Sequence, residues 1–271
     1  NSEDLEKLQE ILDKKKSKAK IIAKIENQEG LDNIHDISKA SWGVMVARGD
    51  LGIETSLTDL PNIQRRIMHA CAKWGRRSIV ATHLLESMID NPTPTRAEVT
   101  DIANAIYEGA DAVMLSGETS VGKYPVECVR FLKSIAEKTE KFKTLEYEKS
   151  LRPNTDWQHI GVAAKNLAES IQADGIIAIT RTGKTANYIS NAKPSGIPIF
   201  TFTGNKKTLT QLTLVGSTIP FYLSNLSNHE KTLQSVTKIL KKYYGKTGLK
   251  LIMVSGIFSE EHSEAIQIIN I

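Results

Sequence analysis

KIIAKIE at Lys20 to Glu26 and GVMVARGD at Gly43 to Asp50 are the two stretches on which the reading of this chain turns. Each is a short apolar run that ends in groups able to bind a cation or an anion. In a strand, residues two apart share a face, so Lys24 and Glu26 point the same way while Ile22, Ala23 and Ile25 fill the surroundings. The second run closes on Ala47, Arg48, Gly49 and Asp50, where the glycine lets the backbone approach a ligand and the aspartate adds a hard oxygen donor. Glu26 and Asp50 together suit a magnesium ion, which one or two protein carboxylates hold while water and substrate oxygens complete its shell.

Outward from these runs, the first part of the chain alternates helix and short apolar strand. The periodicity predicts helices over Ser2–Lys15, Gln28–Ala40, Asp59–Lys73, Thr95–Glu108 and Pro125–Lys143, with strands at Lys20–Glu26, Gly43–Ala47, Ser78–Thr82 and Asp111–Ser116. Strands separated by helices require crossovers and a parallel sheet. The chemically interesting side chains fall at the strand C-terminal ends, Glu26, Asp50, Thr82 and Ser116, which is where a TIM barrel builds its site. Residues 144–156 are polar, contain Pro153 and lose the period, so a linker is expected between a first domain at 1–143 and a second at 157–271. The second domain again alternates, with helices over Gln158–Gln172 and from about Lys207 and His229. Its strands are expected at Gly175–Thr180, Ile197–Phe202, Ile219–Leu223 and Leu249–Ser255, a Rossmann-like α/β pattern.

The 271 residues, 40% of them hydrophobic, are enough for one large domain or two ordinary ones with real cores. A formal charge of +4, from 35 basic and 31 acidic residues, is too balanced to argue for nucleic acid, and the basic run Lys14–Lys20 reads as a solvated helix end. Cys71 and Cys128 lie far apart without metal-ligand spacing, which fits a reducing compartment, with the cytoplasm as the default. No apolar run reaches the roughly 18 residues needed to cross a bilayer, and no membrane association is expected. The chain opens inside a charged helix and without Met, which suggests further sequence upstream.

A TIM barrel needs eight strands in roughly 250 residues, and only four precede the expected linker. Four open strands would leave two unpaired edges, so the reading is α/β with a partial TIM barrel, the last four β/α units, followed by a Rossmann-like domain. The motifs resemble one family closely. KIENQEG at Lys24–Gly30, GVMVARGDLG at Gly43–Gly52, ATHLLESM at Ala81–Met88, NPTPTRAEVTDIANAI at Asn91–Ile106 and DAVMLSGETSVGKYPVE at Asp111–Glu127 stand in the order found in the C-terminal half of a pyruvate kinase.

That resemblance implies phosphoryl transfer from phosphoenolpyruvate to ADP, in a cytoplasmic enzyme working as a homo-oligomer, a tetramer. Lys24 would stand against the transferring phosphoryl group, and Glu26 and Asp50 would hold Mg²⁺ or Mn²⁺. The Gly49 and Asp50 amides, opening a short helical turn, would take the substrate carboxylate. Thr82 would hydrogen-bond that carboxylate or help deliver the enolate proton, or else cap a helix. A role for Ser116 and Glu118 stays open between site and scaffold. The loop Thr180, Arg181, Thr182, Gly183, Lys184 and Thr185 would take the phosphate of an allosteric effector, with an ordinary capped turn as the competing reading.

Three departures qualify the match. His83 stands where the family has glutamine. The family's potassium ligands and phosphate-cradling residues from the early strands have no counterpart in this chain. The second effector loop reads Gly256 to Glu261, and its carboxylates Glu260 and Glu261 would repel a bisphosphorylated sugar, which favours a monophosphate or nucleotide over fructose 1,6-bisphosphate. Two other readings compete: a magnesium-dependent aldolase or lyase acting on pyruvate enolate, against which NPTPTRAE and LSGET argue, and a non-catalytic half-barrel with an effector-binding domain.

Overall fold

A computed structural model describes residues 1–224, 226, 229–255 and 265–271. The chain divides into two compact units, Asn1–Arg152 and Pro153–Ile271.

In the first unit, α1 (Ser2–Lys14) is opened by a capping box in which the Asn1 side chain accepts from the Asp4 amide and the Asp4 carboxylate answers the chain's first nitrogen. Then follow β1 (Ile22–Ile25), α2 (Gln28–Asp32), α3 (Ile34–Ala40), β2 (Gly43–Ala47), α4 (Arg48–Glu54), α5 (Leu60–Trp74), β3 (Arg77–Ala81), α6 (Arg96–Tyr107), β4 (Ala112–Met114), α7 (Gly117–Ser120) and α8 (Pro125–Thr139). The single helix expected over Gln28–Ala40 is two, broken at Asn33. That side chain turns back to donate to the Glu29 carbonyl at 2.9 Å, an alternative to helix continuation that asparagine offers readily. Glycine ends α5 in the usual way, Gly75 taking the left-handed conformation at φ 60°.

The four strands pair in parallel in the order β1-β2-β3-β4, and the described residues close no barrel. The central strands carry the core, with Val44, Val46 and Val80 fully buried against Ile67, Leu85 and Met88. Strands buried on both faces read as near-continuous apolar runs, as GVMVA in β2 does. The edge strand β4 is different: its three residues are all half-buried. At the N-terminal end of the sheet, Arg77 and Asp111 form a buried ion pair at 3.2 Å. Residues 144–152 are tied to this unit. Leu145 donates to the Tyr107 carbonyl at 2.7 Å, a 3₁₀ turn covers Tyr147–Ser150, and Arg152 donates to the Lys73 carbonyl at 3.1 Å.

The second unit contains α9 (Asp156–Ser170), β5 (Gly175–Ile179), α10 (Lys184–Asn191), β6 (Ile199–Thr203), α11 (Lys206–Leu212), β7 (Thr218–Tyr222), α12 (His229–Tyr244), β8 (Lys250–Ser255) and β9 (Ala265–Asn270). Its sheet runs β7-β6-β5-β8-β9, parallel except for β9, which the sequence reading lacks. Ile177 and Ile179 pack with Phe202 and with Val236 and Leu240 of α12, while Ile176 and Ala178 on the opposite face are equally buried. A sheet buried on both faces whose strand order runs outward both ways from β5 is a doubly wound α/β arrangement. The α/β class with parallel sheets holds for both units.

Candidate functional site

The site lies at the C-terminal ends of the first unit's strands. β1 and β2 are paired neighbours, Lys24 lying opposite Met45, so the residues just past each strand end come together. The Lys24 ammonium contacts the Glu26 carboxylate and stands 2.8 Å from Asp50 Oδ2, with all three side chains about half exposed. The residues expected to share a face do so. The Asp50 and Glu26 carboxylates raise the Lys24 pKa above its ordinary range, Asp50 first, which fixes the positive charge. The two carboxylates converge on the Lys24 ammonium through one oxygen each, and their remaining oxygens are the hard donors a magnesium ion accepts, on a half-exposed face open to water and substrate oxygens. Among the described residues no cluster of three or more metal-binding side chains exists, so such an ion would rest on these two carboxylates alone.

α4 begins directly after β2 and has no side-chain cap of its own, since Ala47 occupies the N-cap position. The missing cap arrives from the next strand: the Gly49 amide donates to Thr82 Oγ1 at 2.8 Å, and that hydroxyl donates to the Ala81 carbonyl at 2.6 Å. Thr82 is not itself the N-cap residue of a helix, the next turn starting at Glu86, and its hydroxyl instead serves the first turn of α4 from the neighbouring strand end. The Gly49 backbone sits close against this turn, for a Cβ there would lie 3.4 Å from His83 Cε1 and 3.5 Å from Thr82 Oγ1. His83 is exposed, with Nε2 at 3.8 Å from Glu86. Glu118 is buried, one oxygen accepting from the Leu85 amide at 3.1 Å and the other from the Ser116 amide at 2.7 Å, so it braces the loops around the site.

In the second unit, the Thr180–Thr185 loop leaves β5 at the point where the strand order runs off both ways. Thr180 is buried and its hydroxyl accepts from the Gly183 amide at 3.0 Å. Gly183 takes φ 83°, a left-handed turn that leads into α10, and Thr182 and Lys184 are exposed. Residues 256–261, expected as the companion loop, lie outside the described residues.

Sequence reasoning missed the roles of Arg48 and Asp101. They form a two-oxygen ion pair across 53 positions of sequence, and no local spacing signals it.

Comparison with known proteins adds to this geometry. The family model for the pyruvate kinase barrel domain matches residues 1–129, and the model for the pyruvate kinase alpha/beta domain matches residues 158–269. A pyruvate kinase of Borreliella burgdorferi is 39% identical over 269 residues, covering 96% of this chain and 53% of that protein. One of Methanocaldococcus jannaschii is 37% identical, covering 99% of this chain and 60% of that protein. A crystal structure of a pyruvate kinase from Cryptosporidium parvum superposes with a TM-score of 0.93 at 31% identity, over 100% of this chain and 56% of the other. The chain spans about half the length of the curated relatives it matches.

Proposed function

This chain belongs to the pyruvate kinase family, and on that premise we propose that it carries the metal-binding and phosphoryl-facing half of a site that transfers phosphate from phosphoenolpyruvate to ADP. The single observation that carries the reading is the convergence of Lys24, Glu26 and Asp50 from neighbouring strand ends. A loose phosphoryl-transfer transition state spreads negative charge over its equatorial oxygens, and catalysis is then mainly positioning and charge stabilisation. Lys24 supplies a fixed cation held in place by two anions. Glu26 and Asp50 would hold Mg²⁺ or Mn²⁺, which when bound polarises phosphate and enolate oxygens as a Lewis acid. The first-turn amides of α4 would face the substrate carboxylate once the Gly49 amide leaves Thr82 Oγ1, and the Thr82 hydroxyl would then either bind that group or pass a proton to the enolate.

The first sheet is then the last four strands of a TIM barrel. Support comes from the sequential parallel order and from the half-buried edge strand β4, which a preceding strand would cover. Potassium dependence, if the whole enzyme has it, would use ligands outside these residues. On family grounds the working enzyme is a cytoplasmic homotetramer; among the described residues no helix is long and apolar enough to cross a membrane. The Thr180–Thr185 loop is proposed as the anchor for a phosphorylated effector, because open α/β sheets bind ligands beyond the strand ends where the order reverses.

A coupled assay with phosphoenolpyruvate and ADP tests the reading. Product is expected once a polypeptide supplying the first four barrel strands is added to the chain, and Lys24→Met should remove it while leaving the fold intact. No product with or without that polypeptide would favour the non-catalytic reading, and unchanged turnover in Lys24→Met would reject the assigned role.

A further inference from the structure

Thr82 and His83 both adopt positive φ, 68° and 52°, in succession. Residues with a Cβ avoid this region, and for a β-branched threonine it is a genuine outlier, so something nearby must hold the turn. The turn aims three successive carbonyls at one side chain. Arg48 Nε lies 3.3 Å from the Ala81 oxygen and 3.2 Å from the Thr82 oxygen, and Nη2 lies 2.5 Å from the Thr82 oxygen and 3.3 Å from the His83 oxygen. Nη1 is taken by both Asp101 oxygens at 2.8 and 2.6 Å, which balances a guanidinium whose side chain is only 8% exposed. From the other end, buried Glu118 accepts the Leu85 amide. The segment from Ala81 to Leu85 is thus gripped by a cation on its carbonyls and an anion on its N–H.

We infer that Arg48 is a positioning residue. Its guanidinium fixes the left-handed Thr82–His83 turn so that the Thr82 hydroxyl meets the Gly49 amide at the substrate-carboxylate end of the site. The inference deepens the proposed kinase reading and rests on it for the carboxylate. Arginine suits the task because its planar fork offers five donors in fixed directions, enough for three carbonyls and a carboxylate at once; a lysine ammonium has three donors and no fork. Arg48 also immediately precedes Gly49, so one residue links the start of α4 to the turn that caps it.

Two readouts on Arg48→Ala separate this inference from the kinase reading. Amide hydrogen exchange at Gly49, measured on the 271-residue chain, reports positioning without reference to catalysis. It should quicken about tenfold, the usual worth of one hydrogen bond, while the Val44 and Val46 amides of β2 keep their protection. In turnover-competent protein, the KM for phosphoenolpyruvate should rise by about the same factor, with kcat moving less. Should Arg48→Ala unfold, seen as lost protection at Val44 and Val46 too, Arg48→Lys and Asp101→Asn take its place and should give intermediate exchange at Gly49. Unchanged Gly49 exchange in a folded variant overturns the inference. Faster exchange with an unaltered KM overturns its connection to the substrate. Absence of turnover by the unsubstituted chain with the first four barrel strands supplied overturns the kinase reading instead, and Gly49 exchange alone then decides the positioning.

Discussion

Replacing Asp111 by alanine should cost the first unit a large part of its stability. The Asp111 side chain is fully buried, pairs with Arg77 Nη1 at 3.2 Å, and accepts from the Ser78 amide at 2.9 Å and the Ser78 hydroxyl at 3.2 Å. Arg77 is itself 2% exposed, so the substitution takes a carboxylate from a cation held away from water. Breaking a buried pair from one side costs about 3–5 kcal/mol, and the orphaned Ser78 amide adds about 1 kcal/mol or more. These overlap, because the Arg77 guanidinium can shift toward the vacated space, so about 4 kcal/mol is the expected loss against a typical total of roughly 5–15 kcal/mol. Asp111→Asn keeps an acceptor for Ser78 and should lose about half as much. Urea unfolding is best followed at Trp42 and Trp74 of the first unit, with Trp157 of the second replaced by phenylalanine, so that the signal reports one compact unit. A loss below about 1 kcal/mol in Asp111→Ala would refute the reasoning, since it would mean that the pair behaves as a solvated one.

Two further outcomes follow from local geometry. Burial raises the pKa of the Glu108 carboxyl even though Gln64, Asn104 and Arg65 donate to it. The folded state therefore holds this proton more tightly than the unfolded one, and stability should fall as pH rises from the ordinary carboxylate pKa through the raised one. Glu108→Gln should flatten that part of a Tm-against-pH series, and an identical slope in both proteins would contradict the assignment. Alanine for glycine within a helix usually stabilises by nearly 1 kcal/mol; at Gly161 the sign should reverse. A Cβ there would fall 2.5 Å from the Tyr188 carbonyl oxygen, where α9 and α10 meet, so Gly161→Ala should destabilise the second unit by about 1–3 kcal/mol. A raised melting temperature would count against the close approach.

Much of this architecture was legible in the sequence because its signals are local. The two-residue period put Lys24 and Glu26 on one face, and the next apolar run ended at Asp50, so the charged cluster could be read from strand ends alone. Long-range bonds leave no such trace. The cap of α4 comes from Thr82, and the brace on Thr82 comes from Arg48 and Asp101, partners set by the folded sheet and not by spacing. β9 escaped the reading because AIQIIN is a largely exposed antiparallel edge strand without the continuous burial that marks its neighbours. Asn33 broke a helix whose apolar period runs straight through it, since a side-chain bond to the backbone overrode the pattern.

The most direct test of the central claim is a Mn²⁺ titration in the presence of phosphoenolpyruvate, followed by water-proton relaxation, on protein with the closing barrel strands supplied. If Glu26 and Asp50 hold one divalent ion beside Lys24, a single site should appear, and Glu26→Gln and Asp50→Asn should each remove it without unfolding the chain. Undiminished Mn²⁺ binding in both variants would contradict the account.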